Sequence, residues 1–132
     1  MPEYDIYLVD DDTKFLFLYE SVLSPVGYKI RKFESAKEAL AQIVISPPKL
    51  LITDLMMPEF NGDELMIKIS ELKMMNVFIP LMISSAELNE NERFEMASLG
   101  LDMILSKTIT NDQLLQVVAD KIEEWDKDNL NK

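Results

Sequence analysis

The chain has 132 residues, no cysteine and no histidine, and its 24 acidic and 13 basic side chains leave a net charge of −11. Disulfides, thiolate metal sites and imidazole chemistry are thereby excluded, and no lysine/arginine cluster offers nucleic acid the basic footprint its phosphates require. No apolar run reaches the ~20 residues of a membrane span and the N-terminus lacks the basic flank of a signal peptide, so one cytoplasmic domain with its own core is expected from a composition that is 48% hydrophobic and 28% charged.

Ile6-Tyr7-Leu8-Val9 is a solid apolar run that stops at Asp10-Asp11-Asp12 and reads as a buried strand. Phe15, Leu18, Tyr19, Val22 and Leu23 then recur at helical spacing until Gly27. Tyr28 to Phe33 mixes apolar and basic residues, as an edge strand does. Ser35 to Glu38 has capping-box form, and Ala36, Ala39, Leu40 and Ile43 form a helical stripe that Pro47-Pro48 ends.

Leu50-Leu51-Ile52-Thr53 is a second short apolar run; it ends in Asp54 and is followed by a Pro/Asn/Gly turn. Asn61 with Glu64 caps the next helix, whose inward residues are read as Leu65, Ile69 and Leu72. Pro80 starts the strand Leu81-Met82-Ile83, which ends in Ser84-Ser85. Asn89 with Glu92 opens a helix through Phe94 and Ala97, closed by Gly100. Met103-Ile104-Leu105 is a fifth strand, ending at Ser106-Lys107. Thr110 with Gln113 caps a last helix with the face Leu114, Leu115, Val118, Ile122 and Trp125, and Asp126 to Lys132 reads as a polar, frayed tail.

Strand and helix thus alternate five times, the pattern of an α/β fold with a parallel five-stranded sheet covered by helices on both faces. Right-handed crossovers bring every strand's carboxyl end to one edge, where open α/β sheets hold ligands. Asp10, Asp11, Asp54, Ser84, Ser85 and Lys107 meet there. Carboxylates held that close repel one another and raise each other's pKa. A hard divalent cation with room for waters relieves the repulsion, and Mg²⁺ suits oxygen ligands of this kind. Lys107 and Ser85 suit phosphoryl oxygens. The set describes a carboxylate, Asp54, that accepts a phosphoryl group to give an aspartyl phosphate.

Leu8-Val9-Asp10-Asp11, Asp54 to Pro58 with Gly62, Ser85-Ala86 and Lys107, in that order at successive strand ends, resemble the receiver domain of two-component response regulators. The resemblance covers about residues 5–126 and implies a single receiver domain over 1–132, similar to single-domain chemotaxis regulators. It implies the (βα)5 flavodoxin-like fold with strand order 2-1-3-4-5. It implies that Asp54 is the phosphoacceptor, that Asp11 binds Mg²⁺ directly and Asp10 mainly through water, and that the Met56 backbone carbonyl is a further metal ligand. Ser85 then turns its hydroxyl to the phosphoryl group and Lys107 pairs with it, while Met56 and Glu87 occupy positions that tune dephosphorylation. The implied donor is a histidine kinase or histidine phosphotransfer protein. Output passes to an effector protein, through roughly 89–126, without nucleic acid or membrane. Such a domain is a switch with self-catalysed phosphotransfer, not a conventional enzyme.

Two positions depart from the family pattern. Thr108 follows the lysine where proline in a cis peptide is usual. A non-proline cis bond costs ~3–4 kcal/mol, which predicts a trans Lys107–Thr108 peptide, a rearranged loop and another approach for Lys107. Ile104 stands where the last strand normally carries a rotating aromatic. These departures motivate an alternative, a receiver-like interaction module whose switching is altered or lost. A haloacid-dehalogenase-type phosphohydrolase is disfavoured because Met56 replaces the second, proton-transferring aspartate. A flavodoxin is disfavoured because Asp10 to Asp12 would repel a flavin phosphate.

Overall fold

The computed structural model describes residues 2–55, 57, 62–84, 88–99, 101 and 103–130. Strands β1 (Ile6–Val9), β2 (Ile30–Phe33), β3 (Leu50–Asp54), β4 (Ile79–Ser84) and β5 (Ile104–Ser106) alternate with helices α1 (Thr13–Leu23), α2 (Ala36–Ile45), α3 (Gly62–Glu71), α4 (Glu90–Ser98) and α5 (Asn111–Asn129). The strands form one sheet in the order β2-β1-β3-β4-β5, all parallel. This is the α/β flavodoxin-like architecture expected from the alternation.

The period of two in the central strands splits the core between the faces of the sheet. Ile6, Leu8, Leu50, Ile52, Leu81 and Ile83 pack with Leu16, Tyr19 and Leu23 of α1 and Leu114, Val118 and Ile122 of α5. Tyr7, Val9, Leu51 and Met82 pack on the other face with Ala36, Ala39 and Ile43 of α2, Leu65, Met66 and Ile69 of α3, and Met96 of α4. Because β1, β3 and β4 are covered on both faces, they read as continuous apolar runs, whereas β2, at the sheet edge, mixes apolar and basic residues.

Several local expectations need correction. In α1 Leu16 is buried with Tyr19 and Leu23, while Leu18 is 45% exposed; Leu72, one residue past α3, is 50% exposed and Phe94 of α4 is 76% exposed. Each sits at a position that helical spacing permits on either side of the apolar stripe, and only the neighbouring elements decide. Pro80 is the second residue of β4, not its first. The Ile79 amide donates to the carbonyl of Lys49, the residue just before β3, so the nitrogen of Pro80 faces the other side. There β5 begins only at Ile104, opposite Met82, and the missing N–H leaves no ladder bond unmade. Asn61, proposed as the cap of α3, and Gly100 lie outside the described residues.

The end of α5 is also not a frayed tail, because the helix runs to Asn129. Trp125 Nε1–H donates to the Val77 carbonyl at 3.1 Å, and Asn129 Nδ2 to the Trp125 carbonyl at 2.8 Å. Lys49 Nζ lies 5.2 Å from the centre of the indole and pairs with Asp126 at 2.9 Å and Asp5 at 3.6 Å. Burial acts to lower the Lys49 pKa, but these two carboxylates outweigh it and hold it above the usual lysine value. The last two turns of α5 are therefore tied to the amino end of the sheet, opposite the strand ends that carry Asp10 and Asp54.

Trp125→Phe keeps most of the ring but loses the hydrogen bond to Val77, and is expected to cost about 1 kcal/mol. Trp125→Ala empties the site and is expected to cost about 3–5 kcal/mol. Urea denaturation followed by circular dichroism checks both; an alanine variant within 1 kcal/mol of wild type would show that α5 is held elsewhere.

Candidate functional site

Register places the acidic and basic residues on one rim. Val9 pairs with Thr53, Asp54 with Ile83, and Ser84 with Ser106. Asp10 therefore leaves β1 beside Asp54, the last residue of β3, and Lys107 follows β5 directly. The backbone fixes each of these positions: the Asp10 amide donates to the Phe33 carbonyl at 3.0 Å, Leu55 to Ile83 at 2.9 Å and Lys107 to Ser84 at 3.0 Å.

Lys107 Nζ stands 2.9 Å from Asp10 Oδ2 and 3.3 Å from Asp54 Oδ2, and the three side chains are only 9%, 5% and 3% exposed. Asp10, Asp11 and Asp54 each offer a carboxylate oxygen within 4.8 Å of the others, with Asp10 and Asp54 buried and Asp11 exposed. Asp10 Oδ1 also accepts from the Asp12 amide at 2.9 Å. Asp12 is the N-cap of α1, its side chain accepting from the Lys14 amide, so of the acidic triplet it serves the helix.

Burial is the first cause that raises the Asp10 carboxyl above its usual range, with the Asp54 charge adding to it; the Asp12 amide and Lys107 oppose the shift. Mutual repulsion of the carboxylates, the cause expected from the sequence, contributes less than burial. Burial acts to lower the Lys107 ammonium, but its hydrogen bonds and ion pairs with Asp10 and Asp54 outweigh it and hold it above the usual lysine value. The lysine stays charged at neutral pH.

The Lys107–Thr108 peptide is trans, as no cis bond occurs among the described residues. The Thr108 amide, which proline would lack, donates to Ser106 Oγ at 3.2 Å, and Ser106 Oγ and Thr108 Oγ1 share a hydrogen bond of 2.8 Å. The turn closes with the Ile109 amide on the Ser106 carbonyl. With this turn the lysine reaches both carboxylates. Ile104 is half-buried and packs against the α2/α3/α4 core. Met56, Ser85 and Glu87 lie outside the described residues.

One contact at the site was not anticipated. Phe15, taken from its spacing as a core residue of α1, has its ring centre 4.2 Å from Lys107 Nζ and 5.8 Å from the ring centre of Tyr19. Burial, with the charges of Asp10 and Asp54 behind it, pushes the Tyr19 hydroxyl up to about 12. The available signal was directional. Side chains on a helix lean toward its amino end, and here that end abuts the acidic rim.

The response regulator receiver domain model matches residues 6–119. An uncharacterized 14.6 kDa protein of Leptolyngbya boryana is 30% identical over 118 residues, 89% of each chain. Response regulator SaeR of Staphylococcus aureus is 26% identical over 110 residues, 83% of this chain but 46% of SaeR, so the chain spans about half the length of that relative. The crystal structure of a CheY-like response regulator receiver domain protein from Methanospirillum hungatei superposes with a TM-score of 0.84 at 26% identity, covering 94% of this chain and 97% of that one. With its carboxylates and lysine gathered on one rim of such a sheet, the chain belongs to the response regulator receiver family.

Proposed function

We propose that this receiver is a phosphorylation-controlled switch in which Asp54 accepts a phosphoryl group from a histidine kinase or histidine phosphotransfer protein. The observation that carries the reading is Lys107 Nζ at 3.3 Å from Asp54 in a nearly dry pocket. An Asp54 oxygen attacks the phosphorus, and the P–N bond of the donor breaks with its electron pair leaving on the imidazole. Lys107 swings a donor from Asp54 to a phosphoryl oxygen and meets charge in a site of low dielectric. Ser85 is proposed as a hydroxyl donor to the same group.

Three carboxylates against one lysine fit a hard divalent cation, and the exposure of Asp11 leaves room for the waters that Mg²⁺ retains. Asp10, Asp11, Asp54 and the Met56 carbonyl would hold it; bound there, Mg²⁺ supplies positive charge against the phosphoryl oxygens. The domain then acts through protein–protein contacts, with the region 89–126 meeting an effector, and turns over only its own phosphoryl group. No helix among the described residues is long and apolar enough to cross a membrane, in keeping with a role beside a kinase inside the cell. Thr108 and Ile104 leave the lysine on Asp54, which speaks against a module that has lost its switch.

Incubation with a small-molecule phosphodonor and Mg²⁺ is expected to add the mass of one phosphate to the intact protein. EDTA and Asp54→Asn are each expected to abolish the gain; a gain that survives Asp54→Asn overturns the reading. Lys107→Ala is expected to slow phosphoryl uptake by about 10²–10³-fold, the size of effect seen when one donor to a developing oxyanion is removed, as read from the time course of the same mass change.

The raised pKa of Asp10 has a definite sign for the metal-free protein. In the fold the carboxyl prefers its neutral form, so stability is fullest below the unfolded pKa and falls as pH rises through the folded one. Asp10→Asn is therefore expected to melt higher than wild type at pH 7 without metal, with a flatter dependence on pH from 4 to 7. Mg²⁺ is expected to raise the melting temperature of wild type more than that of Asp10→Asn. Calorimetry at several pH values checks both, and a lower melting temperature for metal-free Asp10→Asn would contradict a carboxyl raised by burial.

A further inference from the structure

The ammonium of Lys107 has three donors, and the groups around it are unequal. Asp10 at 2.9 Å and Asp54 at 3.3 Å occupy one side; the ring of Phe15, with its centre at 4.2 Å, occupies another. The electron-rich face of an aromatic ring attracts a cation, most strongly where water is excluded, and Lys107 is 9% exposed. Phe15 is half-buried in the first turn of α1, and its own position is backed by Tyr19, four residues on, with ring centres 5.8 Å apart and planes at 47°. Tyr19 is 5% exposed, and its hydroxyl has no hydrogen-bond partner among the described residues, so what Tyr19 offers Phe15 is an apolar wall.

The other close cation–ring pairs, Arg31 with Phe33, Lys32 with Phe17 and Lys49 with Trp125, lie on β2 and α1 or at the amino end of the sheet. Among the described residues, Phe15 is the ring that lies against the cation meeting Asp54.

We infer that Phe15 is a positioning residue for phosphoryl uptake: it holds the Lys107 ammonium against its ring face, keeps water from that side, and leaves the ammonium aimed at Asp54. This rests on the reading of Asp54 as the phosphoacceptor. The ring gives the lysine a fixed support while its donor moves from the Asp54 oxygen to a phosphoryl oxygen, so little solvent has to reorganise as charge develops. It is supplied by α1, so it does not depend on a proline at position 108 or an aromatic at position 104, the two positions where this chain departs from its family.

Phe15→Leu keeps apolar volume and removes the ring face, whereas Phe15→Trp keeps a ring face. With acetyl phosphate and Mg²⁺ as donor, Phe15→Leu is expected to lower the maximal uptake rate roughly three- to tenfold, with the apparent donor affinity and melting temperature little changed, and Phe15→Trp to restore it. In proton NMR spectra the ε-methylene protons of Lys107, assigned by their loss in Lys107→Ala, are expected to be shifted upfield by the ring in wild type and Phe15→Trp, and to return to ordinary lysine positions in Phe15→Leu. No upfield shift in wild type would overturn the contact. Equal uptake by wild type and Phe15→Leu, or a Phe15→Trp as slow as Phe15→Leu, would overturn the positioning role alone, while a wild type with no Asp54-dependent uptake would overturn the phosphoacceptor reading with it.

Discussion

Two carboxylates and one ammonium, all nearly removed from water, set the terms for this molecule. Asp10 and Asp54 face Lys107 with side chains no more than 9% exposed, and such a group is tolerated only when charges are paired and remaining donors and acceptors are used. Among the described residues two buried carboxylates, with Asp11 at the edge, meet one lysine. The fold supports this imbalance by fixing the backbones of Asp10, Asp54 and Lys107 through the sheet ladder and its extensions. A site left short of positive charge is one whose energy changes strongly when a cation or a phosphoryl group arrives.

The two ends of the sheet divide the work. At the amino end Trp125, Lys49, Asp5 and Asp126 form a closed set of hydrogen bonds, ion pairs and ring contacts that ties α5 down. At the carboxyl end the same strands present two buried carboxylates to Lys107, which also rests against Phe15. β1 and β3 are apolar on both faces, which is why two aspartates can be carried at their ends without disturbing the core.

Most of the fold was legible because its signals are local. Short apolar runs ending in polar residues marked the strands. Thr110 with Gln113 and Asn89 with Glu92 form the reciprocal caps their spacing implies. Asp10, Asp54 and Lys107 could be brought together from topology alone, since right-handed crossovers deliver all strand ends to one edge. What was not legible depends on the partner across a gap. Leu16 and Leu18 compete for the inner face of α1, and composition does not say which meets β1. Phe94 sits on a helix with one buried side chain, Met96, so its apolar character marked no inner face. The polar stretch after Trp125 reads as a tail because the lysine that binds Asp126, Lys49, is 77 residues away. Phe15 reads as plain core because a ring that stacks on a cation has the same spacing as one that packs on leucine.

In the proposed switch Asp54, rather than its neighbours Asp10 and Asp11, takes the phosphoryl group. Acyl phosphates are reduced by borohydride to the alcohol, so treatment of the phosphodonor-reacted protein followed by peptide mapping marks the acceptor side chain itself. Homoserine is expected in place of Asp54, dependent on Mg²⁺, with Asp10 and Asp11 unaltered. A mark at Asp10 or Asp11, with Asp54 intact, would contradict it.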